Sequence, residues 1–316
     1  MTGYWGGVVW GLGAGVLVGI STILGVWGER KVAGHIQKRY GPNTAPVFGI
    51  FQLVYDLLKL LTKEDIHPKQ ARRGLFNIAP LFMTTPIISS LVIIPFAAGW
   101  APLDTSIGIL FFLAVPSISV LGVLFAGWSQ RNTYASLGGL RGAAQMISYE
   151  VPRSLSVLAV VMLAGTMQPV TLMGEWRIWW LPVTLIAFVV YFIASIAELN
   201  RGPFDLAECD SELVGGYFTD YSGIRWAMFM MSEYGGMTAA ALFGSVVFLG
   251  GTWPLSGVLG VLVLLVKTVL LVIAFMWAKW TFPRMRPDQL MATSWKVLTP
   301  MALVQIVIVG VVIAWL

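Results

Sequence analysis

Seven stretches of this chain run for twenty or more residues without a charged side chain: 2–28, 74–103, 105–130, 154–174, 178–197, 234–266 and 297–316. About 20 apolar residues are what a helix needs to cross the hydrocarbon layer of a bilayer. With no water there to satisfy backbone amides, such continuous apolar runs have to be helical. The sixth stretch is too long for one span, and Gly250-Gly251-Thr252-Trp253-Pro254 interrupts it with turn residues. Its later half runs on past Lys267 to about Phe282. Eight spans are therefore expected, near 4–27, 75–98, 106–128, 150–167, 179–197, 226–249, 257–281 and 297–316. Composition agrees: only 11% of residues are charged and 57% are hydrophobic, against about 25% charged in a soluble domain. The expected fold class is an all-α polytopic membrane protein with a single membrane domain over 1–316. No basic region precedes the first stretch, so it reads as a span and not as a signal peptide.

The basic residues fall on one side. Eighteen of the twenty Lys and Arg lie in the connections around 29–74, 129–153, 198–225 and 279–296. The positive-inside rule assigns these to the cytoplasm and both termini to the opposite side. The long connections are also the basic ones, so the chemistry is expected there. A bacterial plasma membrane is the expected location, an organellar one being the other possibility.

The single cysteine, Cys209, excludes an internal disulfide and a cysteine-held iron–sulfur cluster or zinc site within the chain. His35 and His67 flank one connection, a poor arrangement for a haem between helices. No metal site is expected. Walker, GxGxxG and HExxH patterns are absent, as are Ser/His/Asp arrangements for nucleophilic catalysis, inverted transporter repeats and any sign of nucleic-acid binding.

Residues 46–63 repeat Gln52, Asp56, Lys59 and Lys63 along one stripe, with Phe48, Phe51, Val54, Leu57, Leu58 and Leu61 opposite. That pattern predicts an amphipathic helix lying in the bilayer interface. Gly3, Gly7, Gly11, Gly15 and Gly19 give the first span a smooth face suited to close helix packing. Arg30 and Lys31 suit the end of a helix, but Glu29 beside them opposes the helix dipole and asks for another explanation.

The densest acidic stretch is 198–220, which holds Glu198, Asp205, Glu208, Asp210, Glu212 and Asp220, six of the fifteen acids. A helix starting after Pro203 would align Asp205, Glu208 and Glu212 on one face. Carboxylates so close raise one another's pKa. Phe204, Leu206, Leu213, Val214, Tyr217 and Phe218 alternate with them, which indicates a segment packed against protein. Glu150, Arg153, Glu233 and Lys267 fall in or at the ends of expected spans, where an ionisable residue points to function. With the loop acids, Glu150, Glu198 and Glu233 make up a chain of groups able to pass protons.

Four stretches carry a resemblance: Glu29 to Val32 with Arg39-Tyr40-Gly41-Pro42-Asn43, Ala135 to Pro152, Glu198 to Tyr221, and Arg284 to Met291 with Trp295 and Lys296. Over nearly its full length the chain resembles the family of quinone-chamber membrane subunits of respiratory complex I, the proton-pumping NADH:quinone oxidoreductase. The resemblance implies an enzyme subunit without redox centres that anchors the peripheral arm and builds much of a quinone chamber. Quinone is then the bound substrate. Partners are the iron–sulfur and quinone-site subunits of the peripheral arm, small membrane subunits, antiporter-like subunits and the lipid bilayer. It implies that Glu29, Arg30, Arg39, Asp56, Lys59, Phe218, Thr219, Asp220 and Tyr221 line the chamber and its entrance. It gives Glu150, Glu198, Glu208, Asp210, Glu212, Asp220 and Glu233 to a proton path, and Arg284, Arg286 and Asp288 to partner docking. The chain departs from the family pattern at Glu208-Cys209-Asp210-Ser211-Glu212, where Glu-Gly-Glu-Ser-Glu is common, at Tyr217 to Tyr221, and at Pro287. Two other readings stand beside this one: the related subunit of a membrane-bound hydrogenase, and a stand-alone proton-coupled transporter.

Overall fold

The computed structural model describes residues 4–97 and 101–315, with side chains for 9–97, 101–209 and 212–315. The chain is all-α. In order the helices are α1 (Tyr4–Ile36), α2 (Ile50–Thr62), α3 (Arg73–Leu91), α4 (Gly108–Ser117), α5 (Ser119–Ser129), α6 (Thr133–Ala164), α7 (Pro169–Glu175), α8 (Trp180–Glu198), α9 (Asp210–Leu213), α10 (Gly223–Phe248), α11 (Gly257–Thr281), α12 (Pro287–Thr293) and α13 (Thr299–Trp315). A π turn over Ser294–Leu298 joins the last two.

Among the described residues, seven helical segments are long and apolar enough to cross a membrane, not eight. The stretch expected at 226–249 forms α10, which is long enough but poor in aliphatic side chains. Its place in the fold explains this. It is the central helix, packed by α1, α3, α8 and α11, and small residues let those neighbours approach. A Cβ on Gly235 would meet Val18, on Gly236 Leu199, and on Gly244 Tyr191, each within 3 Å. Burial inside protein, not inside lipid, sets its composition.

Other boundaries shift for local reasons. Helix α1 runs on to Ile36, so Glu29, Arg30 and Lys31 lie within a helix and not past its end. Helix α6 begins at Thr133, absorbing most of what the charges at 129–153 suggested was a loop. Asn132 caps it by accepting the Tyr134 amide at 3.1 Å. Its glycines serve two partners: a Cβ on Gly139 would lie 3.2 Å from the Gly127 Cα of α5, and one on Gly138 2.8 Å from the Gly216 Cα of the acidic loop. The third span divides at Ile118, just after Pro116, which lacks the amide to continue it.

The interfacial helix is shorter than expected, Ile50–Thr62, because Val47, Phe48 and Gly49 all take positive φ in the turn before it. A Cβ on Gly49 would fall 2.3 Å from the Pro42 carbonyl oxygen, so the turn requires glycine there. Phe51, Tyr55, Leu58 and Leu61 remain exposed on the outer face of α2. Along α1, a Cβ on Gly11, Gly15 or Gly19 would meet nothing, so that glycine face is open within this chain; Gly3 lies outside the described residues. Lys267, within α11, donates to the carbonyls of Leu249, Gly251 and Trp253 at 2.6, 3.0 and 2.7 Å. It closes the C-terminal end of α10 and its following turn.

Candidate functional site

A buried ion cluster sits where α1, α10 and α11 meet the turn after α8. Arg201 Nη1 donates to Glu29 Oε2 at 2.5 Å, and Lys279 Nζ lies 2.6 Å from Glu29 Oε1. Arg201 Nε lies 2.9 Å from Glu233 Oε1, and the Tyr234 ring centroid is 4.2 Å from the guanidinium carbon. Arg201 is 2% exposed and Glu29 5%. Two acids and two bases balance, which is what allows charges to stay buried. Burial by itself would lower the Arg201 pKa, but Glu233 and Glu29 outweigh it and raise it. Gln145 of α6 holds the turn in place by donating to the carbonyls of Ala197 and Phe204, both at 2.6 Å.

Next to this cluster lies a second acidic group. Glu198, at the end of α8, pairs with Arg153 of α6. Glu150 accepts from Ser117, the residue at the break between α4 and α5. Between the groups is an internal cavity of about 60 Å³, lined by Arg153, Glu198, Asn200, Tyr217, Ser232 and Glu233 among others. Arg153 Nε and Nη2 and Asn200 Oδ1 have no hydrogen-bond partner among the described residues. The lining is mostly apolar, but the volume has room for a few waters, and these unpartnered groups would hold them. Glu233 thus belongs to both sides, ion-paired to Arg201 and exposed to the cavity that Glu198 lines.

The acidic loop is not the helix its spacing suggested. Residues 199–209 are irregular, and beyond them only Asp210–Leu213 and a 3₁₀ turn at Gly216–Phe218 are helical, so Asp205, Glu208 and Glu212 share no helix face. Each finds a different partner. Asp205 pairs with Arg284 at 2.9 Å, Glu212 with Arg141 at 2.6 Å, and Glu208 accepts from the Tyr217 hydroxyl at 3.1 Å. The side chain of Asp210 lies outside the described residues. The loop folds this way because apolar residues pull it inward and α6 has no side chain at Gly138 to block it. Gln130 then fixes its register, donating to the Tyr217 carbonyl while its Oε1 accepts the Asp220 amide at 3.2 Å. Burial, with Glu233 and Asp205 nearby, raises the Glu208 carboxyl well above the usual range. Burial also raises Asp220 and pushes Tyr221 up to about 12.

A larger cavity, about 710 Å³, opens between α1, α2 and α10. Of the residues expected at a chamber or entrance, it is lined by Glu29, Arg30, Arg39, Asp56, Lys59 and Tyr221. Phe218, Thr219 and Asp220 do not line it. Arg30 and Asp56 form a 3.1 Å ion pair in its wall, joining α1 to α2. Tyr221 is held by Ser129 Oγ and the Phe76 carbonyl, both at 3.2 Å, and stacks on Phe76 at 4.0 Å. Sequence reading missed Trp226, Met230, Met231 and Trp280 in the wall. The spacing of 226, 230 and 234 would have placed three bulky residues on one face of α10, had that helix not been read as an ordinary span. Glu29 lines this cavity and also anchors the ion cluster, so cavity and cluster share a residue.

Arg284 donates to Asp205 and to Cys209 Sγ, and Arg286 and Asp288 stand exposed at the start of α12. No three His, Cys, Asp or Glu gather as a metal site among the described residues.

Comparison with known proteins adds an independent line. The family model described as NADH dehydrogenase matches residues 12–310. The chain is 44% identical to the H subunit of the NADH-quinone oxidoreductase of Geobacillus kaustophilus, over 96% of this chain and 94% of that one. It is 42% identical to the corresponding NADH-quinone oxidoreductase subunit of Brevibacillus brevis, over 98% and 95%. With that of Bacillus cereus it shares 45% identity over 91% and 88%.

Proposed function

The chain belongs to the NADH dehydrogenase family, and from that premise we propose that it is a membrane subunit of a quinone-reducing complex I, in which it receives the quinone and passes the consequence of its reduction to a proton path. The observation that carries this reading is the shared residue Glu29, which belongs to the wall of the large cavity and to the buried cluster with Arg201, Glu233 and Lys279. An amphiphile entering from the bilayer passes α2, whose outer face is apolar, and meets the Arg30–Asp56 pair at the opening. Electrons reach the quinone from redox centres that partner subunits carry. The relatives' shared name as NADH-quinone oxidoreductase subunits supports this reading over the hydrogenase one.

The coupling is electrostatic. Reduction of a quinone changes the charge in the cavity, and Glu29 and Arg201 feel it directly. Arg201 also holds Glu233, so a shift in one pairing frees the other carboxylate to take up or release a proton. The small cavity then carries the proton toward Glu198, which lines it, and on to Glu150, which lies close enough to Glu198 to act on its charge. A shift of one pKa unit corresponds to about 1.4 kcal/mol, so a few such groups transmit a useful part of the redox energy. The path we assign therefore starts at Glu29 and Glu233. Glu208 lies beside it, and Glu212 of α9 stands away from it, exposed and paired with Arg141 of α6. Arg284, Arg286 and Asp288 face the partner subunits of the peripheral arm. The basic connections face the cytoplasm of a bacterium, and the whole chain acts as one membrane domain.

Glu233→Gln in the assembled enzyme tests the reading. Quinone reduction is expected to persist at a reduced rate while protons moved per electron fall by half or more. An assembled variant that pumps at the normal ratio would sink the proposed path.

A further inference from the structure

On the same side of the molecule as α2 but away from both cavities, a third pocket of about 510 Å³ is lined by Arg72, Trp128, Arg131, Asn132, Thr133, Ser136 and Leu137. We propose that it binds the phosphate headgroup of an anionic phospholipid. The position is interfacial: α3 begins at Arg73, α5 ends at Ser129 and α6 begins at Thr133, all at the ends of membrane-spanning segments. The turn is rigidly placed, because the Arg72 amide donates to the Ser129 carbonyl at 2.8 Å and ties the two chain segments together. Both arginines are exposed, and neither forms a salt bridge with a described residue. Each of these two guanidinium groups can donate two parallel hydrogen bonds to the unesterified oxygens of a phosphodiester, the pairing that guanidinium favours.

The rest of the lining separates by polarity. Asn132, Thr133 and Ser136 add polar groups beside the arginines. Trp128 is 66% exposed and Leu137 49%, and Leu140 continues the apolar surface along α6. A tryptophan at a span end suits the level of the lipid headgroups, and the apolar strip below it suits an acyl chain. The volume falls within the range of about 300–1,000 Å³ for small-molecule pockets. Basic pockets between spans on the cytoplasmic side are where anionic lipids bind. The inference needs only the membrane placement of these helices and is independent of the quinone reading.

The test uses the assembled enzyme in phosphatidylcholine nanodiscs containing increasing phosphatidylglycerol with brominated chains. Quenching of Trp128 is read as the difference between the wild type and Trp128→Phe. Brominated phosphatidylglycerol is expected to quench at a mole fraction on the order of tenfold lower than brominated phosphatidylcholine. Arg72→Gln with Arg131→Gln should erase that preference, whereas the paired Arg→Lys changes should retain most of it. If the glutamine pair does not assemble, Arg131→Gln alone should lose about threefold of the preference. Equal quenching by the two lipids in the wild type, or an unchanged preference in the glutamine variants, overturns the proposal. Release of quenching by millimolar inorganic phosphate overturns the lipid assignment in favour of a free-anion site.

Discussion

Glu29 and Arg201 are 172 residues apart in the chain and 2.5 Å apart in the fold. That contact links the first span to the turn after α8, and through Glu233 and Lys279 it reaches α10 and α11 as well. It also explains the acid at the wrong end of a helix dipole. Helix α1 continues past Glu29, and two cations compensate the carboxylate.

Removing one partner of such a cluster leaves the others buried and unpaired. Arg201→Leu is expected to cost about 3–5 kcal/mol, seen as loss of assembled enzyme in membranes or a sharply lowered unfolding midpoint in detergent. The double change Arg201→Leu with Glu29→Gln should recover part of that loss, because it removes opposite charges together. Equal stability of Arg201→Leu and the wild type would contradict the burial and pairing described.

Glu208 gives a pH dependence with a definite sign. Its pKa is raised in the fold, so the folded state prefers the protonated form relative to the unfolded chain, whose glutamate titrates near about 4.3. The stabilising contribution is full below that value and is lost as pH rises through the folded pKa. Unfolding midpoints measured from about pH 5 to pH 8 should therefore fall less steeply for Glu208→Gln than for the wild type. A steeper fall in the variant would reverse the assignment.

The Arg30–Asp56 pair is half exposed and should matter for entry more than for stability. Asp56→Asn is expected to change the unfolding midpoint little, as exposed pairs contribute about 0–1 kcal/mol. In the same variant KM for a long-chain quinone should rise several-fold with kcat nearly unchanged. A fall in kcat at constant KM would move Asp56 from the opening to the chemistry.

Lys267 makes the opposite prediction. It satisfies three carbonyls at the end of α10, so Lys267→Met should destabilise by about 1–3 kcal/mol while proton pumping per electron stays normal in the surviving enzyme. An altered pumping ratio at unchanged stability would show that a residue in the apolar body of α11 does more than close a helix end.

Gly216 is a steric test of the acidic loop. Its φ is +60°, and a Cβ there would fall 1.7 Å from the Ala207 carbonyl oxygen. Gly216→Ala must displace the loop from Gly138 of α6, and limited proteolysis should then cut between 199 and 222 where the wild type resists. Equal resistance would mean that the loop is not packed as described.

The long uncharged runs, the basic connections and the amphipathic stripe of α2 were legible in the sequence because each follows from a local rule: apolar length for lipid, charge for water, periodicity for an interface. Family membership was legible from the same residues, since Ala135–Pro152 and Glu198–Tyr221 are long and specific. What local rules misjudged was any segment whose surroundings are protein. Helix α10 is rich in small residues because other helices surround it, so it misses the pattern that lipid imposes, and α6 begins at Thr133 because the charge of Arg153, which suggested a loop, is buried against Glu198 of α8. Spacing aligned Asp205, Glu208 and Glu212 on a helix that does not form, because Arg284, Tyr217 and Arg141 each draw one acid in a different direction. The pairing of Glu29 with Arg201, the placing of Glu233 between two groups, and the wall formed by Trp226 and Met230 are contacts between distant segments. Only the packing of the helices against one another brings those segments within reach.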